Sequence, residues 1–321
     1  MNQIIHANTP QKFQQPIVWT ALVTPLLNCG AIDFASLQRI AAQQNQAGNG
    51  ILLLGSTGEG LALTSEEQFS IVKYVTSLSL EVPIMVAVGG YNLASQLAWI
   101  EQCNQLPISA YLLGSPIYAK PGPIGQAQWY QALLDAAAVP CMLYNVPSRS
   151  GVELAISALQ KLQHHENFWA LKEASGDLQK LLSYRQSCPE IALYSGEDAM
   201  MPYLANAGVN GLVSVCANVW PEATKRYVTL ALTQQCSDVF PLWHNAIAAL
   251  FQVTSPIPVK VLMAETYMID YAALRLPLCK DELTSNHGLL AIHQQIQQWL
   301  NAQTCSPLTN SSASTLREVN Q

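Results

Sequence analysis

The sequence has few charged residues and no cluster of basic ones. Only 11% of its 321 residues are charged, and the formal net charge is −6. Proteins that bind nucleic acid or anionic membrane surfaces rely on patches rich in Lys and Arg, so neither partner is expected. The acidic net charge does not exclude anionic small molecules as ligands, because the local electrostatic field inside a pocket decides which ligands bind there.

Long apolar runs and targeting signals are also lacking. The longest apolar stretches, such as residues 50–55, are far too short to cross a bilayer. Residues 1–15 contain no basic segment followed by an apolar one, so they do not resemble a secretory signal. We expect a cytoplasmic protein in which residues 1–15 form a flexible N-terminal extension.

Cysteine pairs and metal-binding spacings are absent as well. The eight cysteines are scattered without a C-x-x-C motif, which favours reduced structural thiols over disulfides. The six histidines form no ligand pattern, and the neighbours His164 and His165 would diverge on a helix. The sequence therefore predicts neither a metal ion nor a bound cofactor.

What the chain does contain is apolar sequence in short, regular blocks. Half of the residues are hydrophobic, which suffices for one large core. Runs that are apolar on both faces are typical of buried parallel strands, and here their ends recur roughly every 20–35 residues, as in β–loop–α units. The predicted strands are residues 18–24, 50–54, 82–88, 110–113, 141–144, 168–171, 191–194 and 211–215.

Helix signals occupy the segments between these strands. Asp33 can cap a helix that ends near Gly48, Thr64 begins a capping box, and Asp177 precedes a helix over residues 178–187. Eight successive units predict an α/β fold, a (β/α)₈ TIM barrel. A doubly wound sheet is the rival, but the glycine-rich dinucleotide turn expected after its first strand is missing.

The alternation stops after about residue 234. Helical patterns without intervening strands follow at residues 237–252, 258–267 and 281–300. We therefore predict a barrel over residues 16–234 and a C-terminal helical subdomain over 235–301. Residues 302–321 are rich in Ser, Thr and Asn, which predicts a disordered tail.

Two predicted strands end in residues that can carry chemistry, and barrel enzymes react where strands end. Lys172 closes the sixth strand, where burial favours the neutral amine that imine formation requires. A lysine at the rim, paired with Glu173 or Glu197, is the plainer alternative. Tyr144 closes the fifth strand, and Arg149 follows in a turn suited to binding a carboxylate. A tyrosine at the edge of the core and a solvated arginine are the alternatives there.

Other strand ends add hydroxyl and backbone groups. The loop 55–60 is rich in glycine and presents Ser56 and Thr57, whose hydroxyls and backbone N–H groups could bind a carboxylate. Tyr118 follows the fourth strand, and the backbone near Val213 in the eighth could line a pocket floor. An amine, phenols, hydroxyls and a guanidinium at one barrel mouth match the needs of carbon–carbon bond formation from a 2-oxo acid.

These residues lie in motifs that resemble the dihydrodipicolinate synthase / N-acetylneuraminate lyase family. The resemblance covers roughly residues 16–300 in order. It rests on T-A-L-V-T-P at 20–25, G-S-T-G-E at 55–59, Y-N-V-P at 144–147 and L-K-E at 171–173. The resemblance implies a Schiff-base enzyme on a TIM barrel.

The resemblance also implies roles for single residues. Lys172 would form the imine with pyruvate, and Tyr144 would be the acid and base. Thr57 would bind the pyruvate carboxylate, and Val213 would also contact pyruvate. Ser56 stands where many members carry threonine; it retains the hydroxyl and would join the tyrosines in a proton relay.

The relay implied by the family includes a tyrosine from a second subunit. Tyr118 would be donated across a dimer interface. The resemblance thus implies a homo-oligomer, either a dimer or a dimer of dimers.

Arg149 separates the activities within the family. Members with a Pro-Ser-Arg-x-Gly turn use the arginine on the carboxylate of L-aspartate 4-semialdehyde, and residues 147–151 match that turn. The implied reaction condenses pyruvate with the semialdehyde on the route to diaminopimelate and lysine. The alternatives are an aldolase of the N-acetylneuraminate lyase or 2-keto-3-deoxy-gluconate type, and a non-catalytic regulatory member.

Feedback inhibition by lysine is expected to be weak or absent. Lysine-sensitive relatives tend to carry histidines in the helix after G-x-x-G-E and an aromatic residue before the relay tyrosine. Here the corresponding residues are Ser65, Gln68 and Ile117, while Asn92 is retained.

Overall fold

The structure is a computed structural model that describes residues 15–305, and its centre is a closed parallel barrel. Eight strands pair in chain order, and the last pairs with the first. The strands are β1 (Val18–Ala21), β2 (Gly50–Leu53), β3 (Ile84–Val88), β4 (Ala110–Gly114), β5 (Cys141–Asn145), β6 (Phe168–Glu173), β7 (Ala192–Ser195) and β8 (Gly211–Ser214). The predicted TIM barrel is confirmed.

Helices follow each strand and cover the outside of the barrel. In the described part of the chain they are α1 (Phe34–Ala47), α2 (Ser65–Thr76), α3 (Leu93–Cys103), α4 (Pro123–Ala136), α5 (Pro147–Ser150), α6 (Ile156–Leu162), α7 (Leu178–Ser187), α8 (Met201–Asn206), α9 (Pro221–Leu232), α10 (Phe240–Leu250), α11 (Ile257–Glu265) and α12 (His287–Cys305). Within residues 15–305, none of these helices has the length and apolar character needed to cross a membrane.

The capping signals read from the sequence are realised. The Asp33 carboxylate accepts a hydrogen bond from the N–H of Ser36, and Gly48 ends α1 in the left-handed conformation with φ 66°. Thr64 and Glu67 form the complete capping box at α2. Such bonds connect residues close in the chain, so the sequence alone predicts them.

The first strand is shorter than predicted, because a side chain takes the place of the neighbouring strand as hydrogen-bond partner. The first predicted strand ran to residue 24, but β1 ends at Ala21. The N–H of Val23 donates to Asn218 Oδ1 at 2.9 Å rather than to another strand. Strand β6 runs on to Glu173, so Lys172 lies inside a strand, not after one.

The interior of the barrel is filled by its inward-facing side chains. This inner core consists of Trp19, Ala21, Leu52, Met85, Ala110, Leu112, Met142, Ala170, Tyr194 and Val213. Near the N-terminal end, the ring of Trp169 lies 6.2 Å from that of Trp19 and 5.6 Å from that of Tyr194, measured between centroids. Bulky rings close this end, so chemistry is confined to the opposite end of the barrel.

The chain beyond the barrel forms α10, α11 and α12, which pack against one another. The third predicted helix began at residue 281, which is wrong, because Lys280–Glu282 form only a 3-10 turn and α12 begins at His287. Residues 284–286 are Thr, Ser and Asn, which favour turns and caps over helix interiors. The division into a barrel and a C-terminal helical subdomain stays a proposal. Most of the predicted extension (1–15) and tail (302–321) lies outside the described residues.

Candidate active site

Lys172 and Tyr144 form the centre of the site at the C-terminal end of the barrel. They are register partners on β6 and β5. Each lies two residues beyond a member of the inner core, Ala170 or Met142, so pleating directs both side chains inward. Lys172 is only 6% exposed, and its Nζ lies 4.1 Å from the centroid of the Tyr144 ring. A buried amine is thus held against a phenol.

The next pair of residues faces outward and fixes the two strand ends. Asn145 Nδ2 donates to Glu173 Oε2 at 2.7 Å, and the N–H of Ser175 donates to Glu173 Oε1 at 2.6 Å. Burial raises the pKa of Glu173, while these hydrogen bonds lower it. Since Glu173 is occupied in this way, the alternative in which it pairs with Lys172 is not realised.

The two residues that follow β7, Gly196 and Glu197, contribute free space and a carboxyl group beside the lysine. A Cβ on Gly196 would lie 2.8 Å from Lys172 Cε, so the lysine can pass only because this residue is glycine. Glu197 follows, and burial together with Asp198 raises its pKa to about 7, while Lys172 and, more weakly, Arg149 lower it. A carboxyl group that titrates near neutral pH therefore lies close to the amine; sequence reasoning weighed it only as a pairing partner.

The glycine-rich loop after β2 is folded tightly. Gly60 packs so closely under the Leu54 carbonyl that a Cβ would lie 2.0 Å from that oxygen. Glu59 adopts the left-handed conformation with φ 55°. Thr57 is buried, with 5% exposed, whereas Ser56 is exposed. The loop thus presents one hydroxyl residue inside the protein and one at its surface.

A cavity of about 710 Å³ opens at this end of the barrel. Among the predicted site residues, Ser56, Tyr144 and Arg149 line it. Arg149 stands in α5, a single helical turn that Gly151 ends with φ 74°. Because Tyr144 both lines the cavity and covers the amine of Lys172, it connects the two.

Four of the predicted site residues do not line the cavity. Lys172 and Thr57 are buried beside it, and Val213 is 1% exposed within the inner core. Val213 could reach a ligand only through its backbone. Tyr118 is 88% exposed, has the left-handed φ of 68°, and does not line the cavity. One chain therefore assembles the amine, Tyr144, the loop and Arg149, but not Tyr118.

Several buried polar residues near the site were missed by sequence reasoning. Asp198 is buried and accepts a hydrogen bond from Ser214 Oγ at 2.5 Å, which ties the turn after β7 to β8. Lys260 is fully buried and pairs with Glu59. A lysine within the apolar segment 257–264 was the available signal. Within residues 15–305 there is no cluster of three or more His, Cys, Asp or Glu side chains able to hold a metal ion.

Comparisons with known proteins agree on one family. Residues 15–297 match the sequence model of the Dihydrodipicolinate synthetase family. The chain is similar to the 4-hydroxy-tetrahydrodipicolinate synthase of Francisella philomiragia, with 47% identity over 283 residues that cover 88% of this chain and 96% of the relative. The synthase of the same name from Wolbachia pipientis is 42% identical over 284 residues, with 88% and 96% covered.

A solved structure shows the same similarity in three dimensions. The chloride-inhibited dihydrodipicolinate synthase of Acinetobacter baumannii, complexed with pyruvate, is 29% identical to this chain. The TM-score is 0.83, and the match covers 88% of this chain and 99% of the other.

Proposed function

The chain belongs to the dihydrodipicolinate synthetase family, and from this premise we propose that it condenses pyruvate with L-aspartate 4-semialdehyde, as a lyase of the class I aldolase type. The relatives named 4-hydroxy-tetrahydrodipicolinate synthase support this reaction. The observation that carries the proposal is the buried amine of Lys172, held 4.1 Å from the Tyr144 ring centroid at the catalytic end of the barrel.

The first half of the proposed reaction activates pyruvate. Lys172 Nζ attacks the keto carbon, and loss of water leaves an imine, so no cofactor is required. The hydroxyl of Thr57 and the N–H groups of its loop hold the carboxylate. Removal of a methyl proton then gives the enamine, with Tyr144 moving protons to and from the reacting atoms.

The second half joins the two carbon skeletons. The enamine carbon attacks the aldehyde carbon of the semialdehyde, and the aldehyde oxygen receives a proton through Tyr144. Arg149, which lines the cavity, binds the carboxylate of this second substrate. Attack of the substrate amine on the imine carbon closes the ring and frees Lys172.

A panel of aldehyde acceptors tests this substrate choice. The protein is incubated with pyruvate and either L-aspartate 4-semialdehyde, N-acetylmannosamine or glyceraldehyde, and pyruvate consumption is followed. We expect efficient turnover with the semialdehyde alone. Preference for either sugar-derived acceptor would refute the proposed substrate in favour of an aldolase of the same family, and a failure to react with any of them would favour a regulatory member.

Arg149→Ala should impair use of the semialdehyde much more than imine formation with pyruvate. A charge-assisted contact contributes roughly 1.5–3 kcal/mol, or about 10- to 150-fold. We therefore expect kcat/KM for the semialdehyde to fall by about that factor while trapping of the pyruvate imine changes little. Arg39→Ala removes another exposed arginine and serves as the control. An equal loss for both substrates would contradict the assigned role of Arg149.

Inhibition by L-lysine should be weak, with half-inhibition above about 1 mM, or less than roughly 4 kcal/mol of binding. Ser65, Gln68 and Ile117 line the cavity and carry no charge. Gln68 Nε2 is already engaged by the carbonyl oxygens of Gly60 and Leu63. An ammonium group thus meets no free carboxylate there.

The measurement is a titration of activity with L-lysine at fixed pyruvate, with D-lysine as the control for ionic effects. Half-inhibition by L-lysine well below 1 mM would show that these neutral residues do not have the assigned consequence.

We also propose that the working site is shared between two copies of the chain. Tyr118 is exposed and outside the cavity lining, yet the family's relay requires a second tyrosine. Leu61 and Tyr91 are each 64% exposed and line a groove together with Ile117, beside Tyr118 in the chain. Contact between two copies there would cover these apolar side chains.

A further inference from the structure

A fully buried ion pair joins the C-terminal helices to the glycine-rich loop. Lys260 Nζ on α11 lies 2.7 Å from Glu59 Oε1, and the two side chains are 0% and 1% exposed. The same Nζ donates to the carbonyl oxygen of Thr24 at 2.8 Å. Glu59 Oε2 accepts the N–H of Arg275 at 2.7 Å. Both carboxylate oxygens therefore bind groups that follow the barrel in the chain.

Stability alone does not explain a pair of this kind. Burying two charges costs desolvation that their attraction often fails to repay, and an apolar pair of similar volume is frequently as stable. The same burial lowers the pKa of Lys260, although Glu59 opposes that shift. What such a pair does provide is a defined geometry, because the two charges tolerate few alternative positions.

The ion pair between Lys260 and Glu59 fixes the position of the loop that carries Ser56 and Thr57. The loop is closed on itself, since the N–H of Glu59 donates to the Ser56 carbonyl and the N–H of Gly60 donates to the Gly55 carbonyl, each at 3.2 Å. A loop closed in this way moves as a unit, and its charged anchor is the Glu59 side chain. Displacement of that side chain would carry both hydroxyls with it.

The chain that follows α11 also forms part of the cavity wall. Arg275, Pro277 and Leu278 line the cavity, as do Ser56 and Glu59. The guanidinium of Arg275 bridges Gly30 and Glu67 through Nη2, at 2.6 and 2.5 Å. The C-terminal segment thus contacts the loop through Glu59 and contacts Gly30 and Glu67, outside the loop, through the Arg275 side chain.

We infer that Lys260 is a positioning residue for the hydroxyls of Ser56 and Thr57, acting through Glu59, and that the C-terminal helices thereby set the affinity for the substrate carboxylate. The carboxylate half of this inference rests on the proposed function. The statement about the loop does not rest on the proposed function, because it concerns only which contacts hold residues 55–60 in place.

The test compares Lys260→Met with a matched control. Methionine has a similar length and no charge. Arg39→Met removes the exposed pair between Arg39 and Asp270, 2.6 Å apart, which also ties the barrel to the C-terminal segment. Two quantities are measured: hydrogen exchange at the amides of Glu59 and Gly60, and the pyruvate concentration that gives half-maximal borohydride trapping on Lys172.

For Lys260→Met we expect exchange in the loop to accelerate by about tenfold or more. We expect the half-saturating pyruvate concentration to rise by about tenfold, ~1.4 kcal/mol, while the label at saturating pyruvate stays constant. The control should change neither quantity. If Lys260 only stabilised the fold, Lys260→Met would lower the melting temperature. It would not raise the half-saturating pyruvate concentration while leaving the label at saturating pyruvate constant.

A lysine removed from a buried pair leaves a carboxylate without its partner, so Lys260→Met could fail to fold. The double variant Lys260→Met/Glu59→Gln removes both charges and is expected to fold, yet to keep the faster exchange and the weaker affinity for pyruvate. Unchanged exchange in either folded variant overturns the inference. Absence of label on Lys172 in the unmodified protein would instead refute the proposed function, and exchange alone would then decide the inference.

Discussion

Lys172→Ala is expected to abolish labelling by pyruvate and borohydride and to lower kcat/KM by more than about a thousandfold. The covalent route disappears with the amine, and what remains is binding and proton transfer without a nucleophile. Lys172 is 6% exposed, lies over the Tyr144 ring and passes the gap at Gly196. A buried amine in this position is the chemical centre of the proposed reaction.

Mass spectrometry of the trapped protein identifies the labelled residue. The unmodified chain should carry one pyruvate-derived adduct, on the peptide that contains Lys172. Lys161→Ala, which removes an exposed lysine from α6, should retain both label and activity. A label on any other lysine, or full activity in Lys172→Ala, would contradict the assignment.

Tyr118→Phe is expected to lower kcat by about 10²- to 10⁴-fold, the usual range for loss of a positioned acid or base. The loss should be complemented in trans. Equal mixing of Tyr118→Phe and Lys172→Ala chains, each inactive alone, should restore roughly a quarter of the sites, because half of randomly formed dimers then contain one intact site of two. The reason is structural: Tyr118 is 88% exposed and lies outside the cavity lining of its own chain.

Tyr267→Phe is the matched control for this experiment. Tyr267 is also 88% exposed and also has a left-handed backbone, with φ 57°. Its loss of a hydroxyl should leave kcat unchanged. If mixed chains stay inactive after subunit exchange has been verified by native mass spectrometry, the two residues do not act in one shared site.

The sequence was sufficient wherever the deciding interactions are local or periodic. Apolar runs predicted all eight strands, because a parallel strand covered on both faces must be apolar on both. The caps at Asp33 and Thr64 were predictable because donor and acceptor lie three residues apart. The lysine and tyrosine of the site were predictable because strand ends converge at one end of any such barrel.

Local sequence patterns did not predict the roles of side chains whose partners are distant in the chain. Glu59 was noticed only as part of a motif, and its partner Lys260 lies 201 residues further along the chain. Asn145 and Glu173 directly follow Tyr144 and Lys172 in their strands and face outward, and only the register of β5 against β6 brings them together. Their roles follow from which elements pack together, and the amino-acid pattern of either element does not contain that information.

The sequence by itself thus determined the barrel, its open end and the placement of Lys172 and Tyr144 there, since backbone periodicity and strand-end position are properties of short segments. Only the tertiary structure decided which charges are buried, which hydroxyl of the loop points inward, and that Tyr118 leaves its own cavity. The physical reason is that desolvation and long-range hydrogen bonding depend on neighbours supplied by remote parts of the chain, and those neighbours exist only once the barrel has closed.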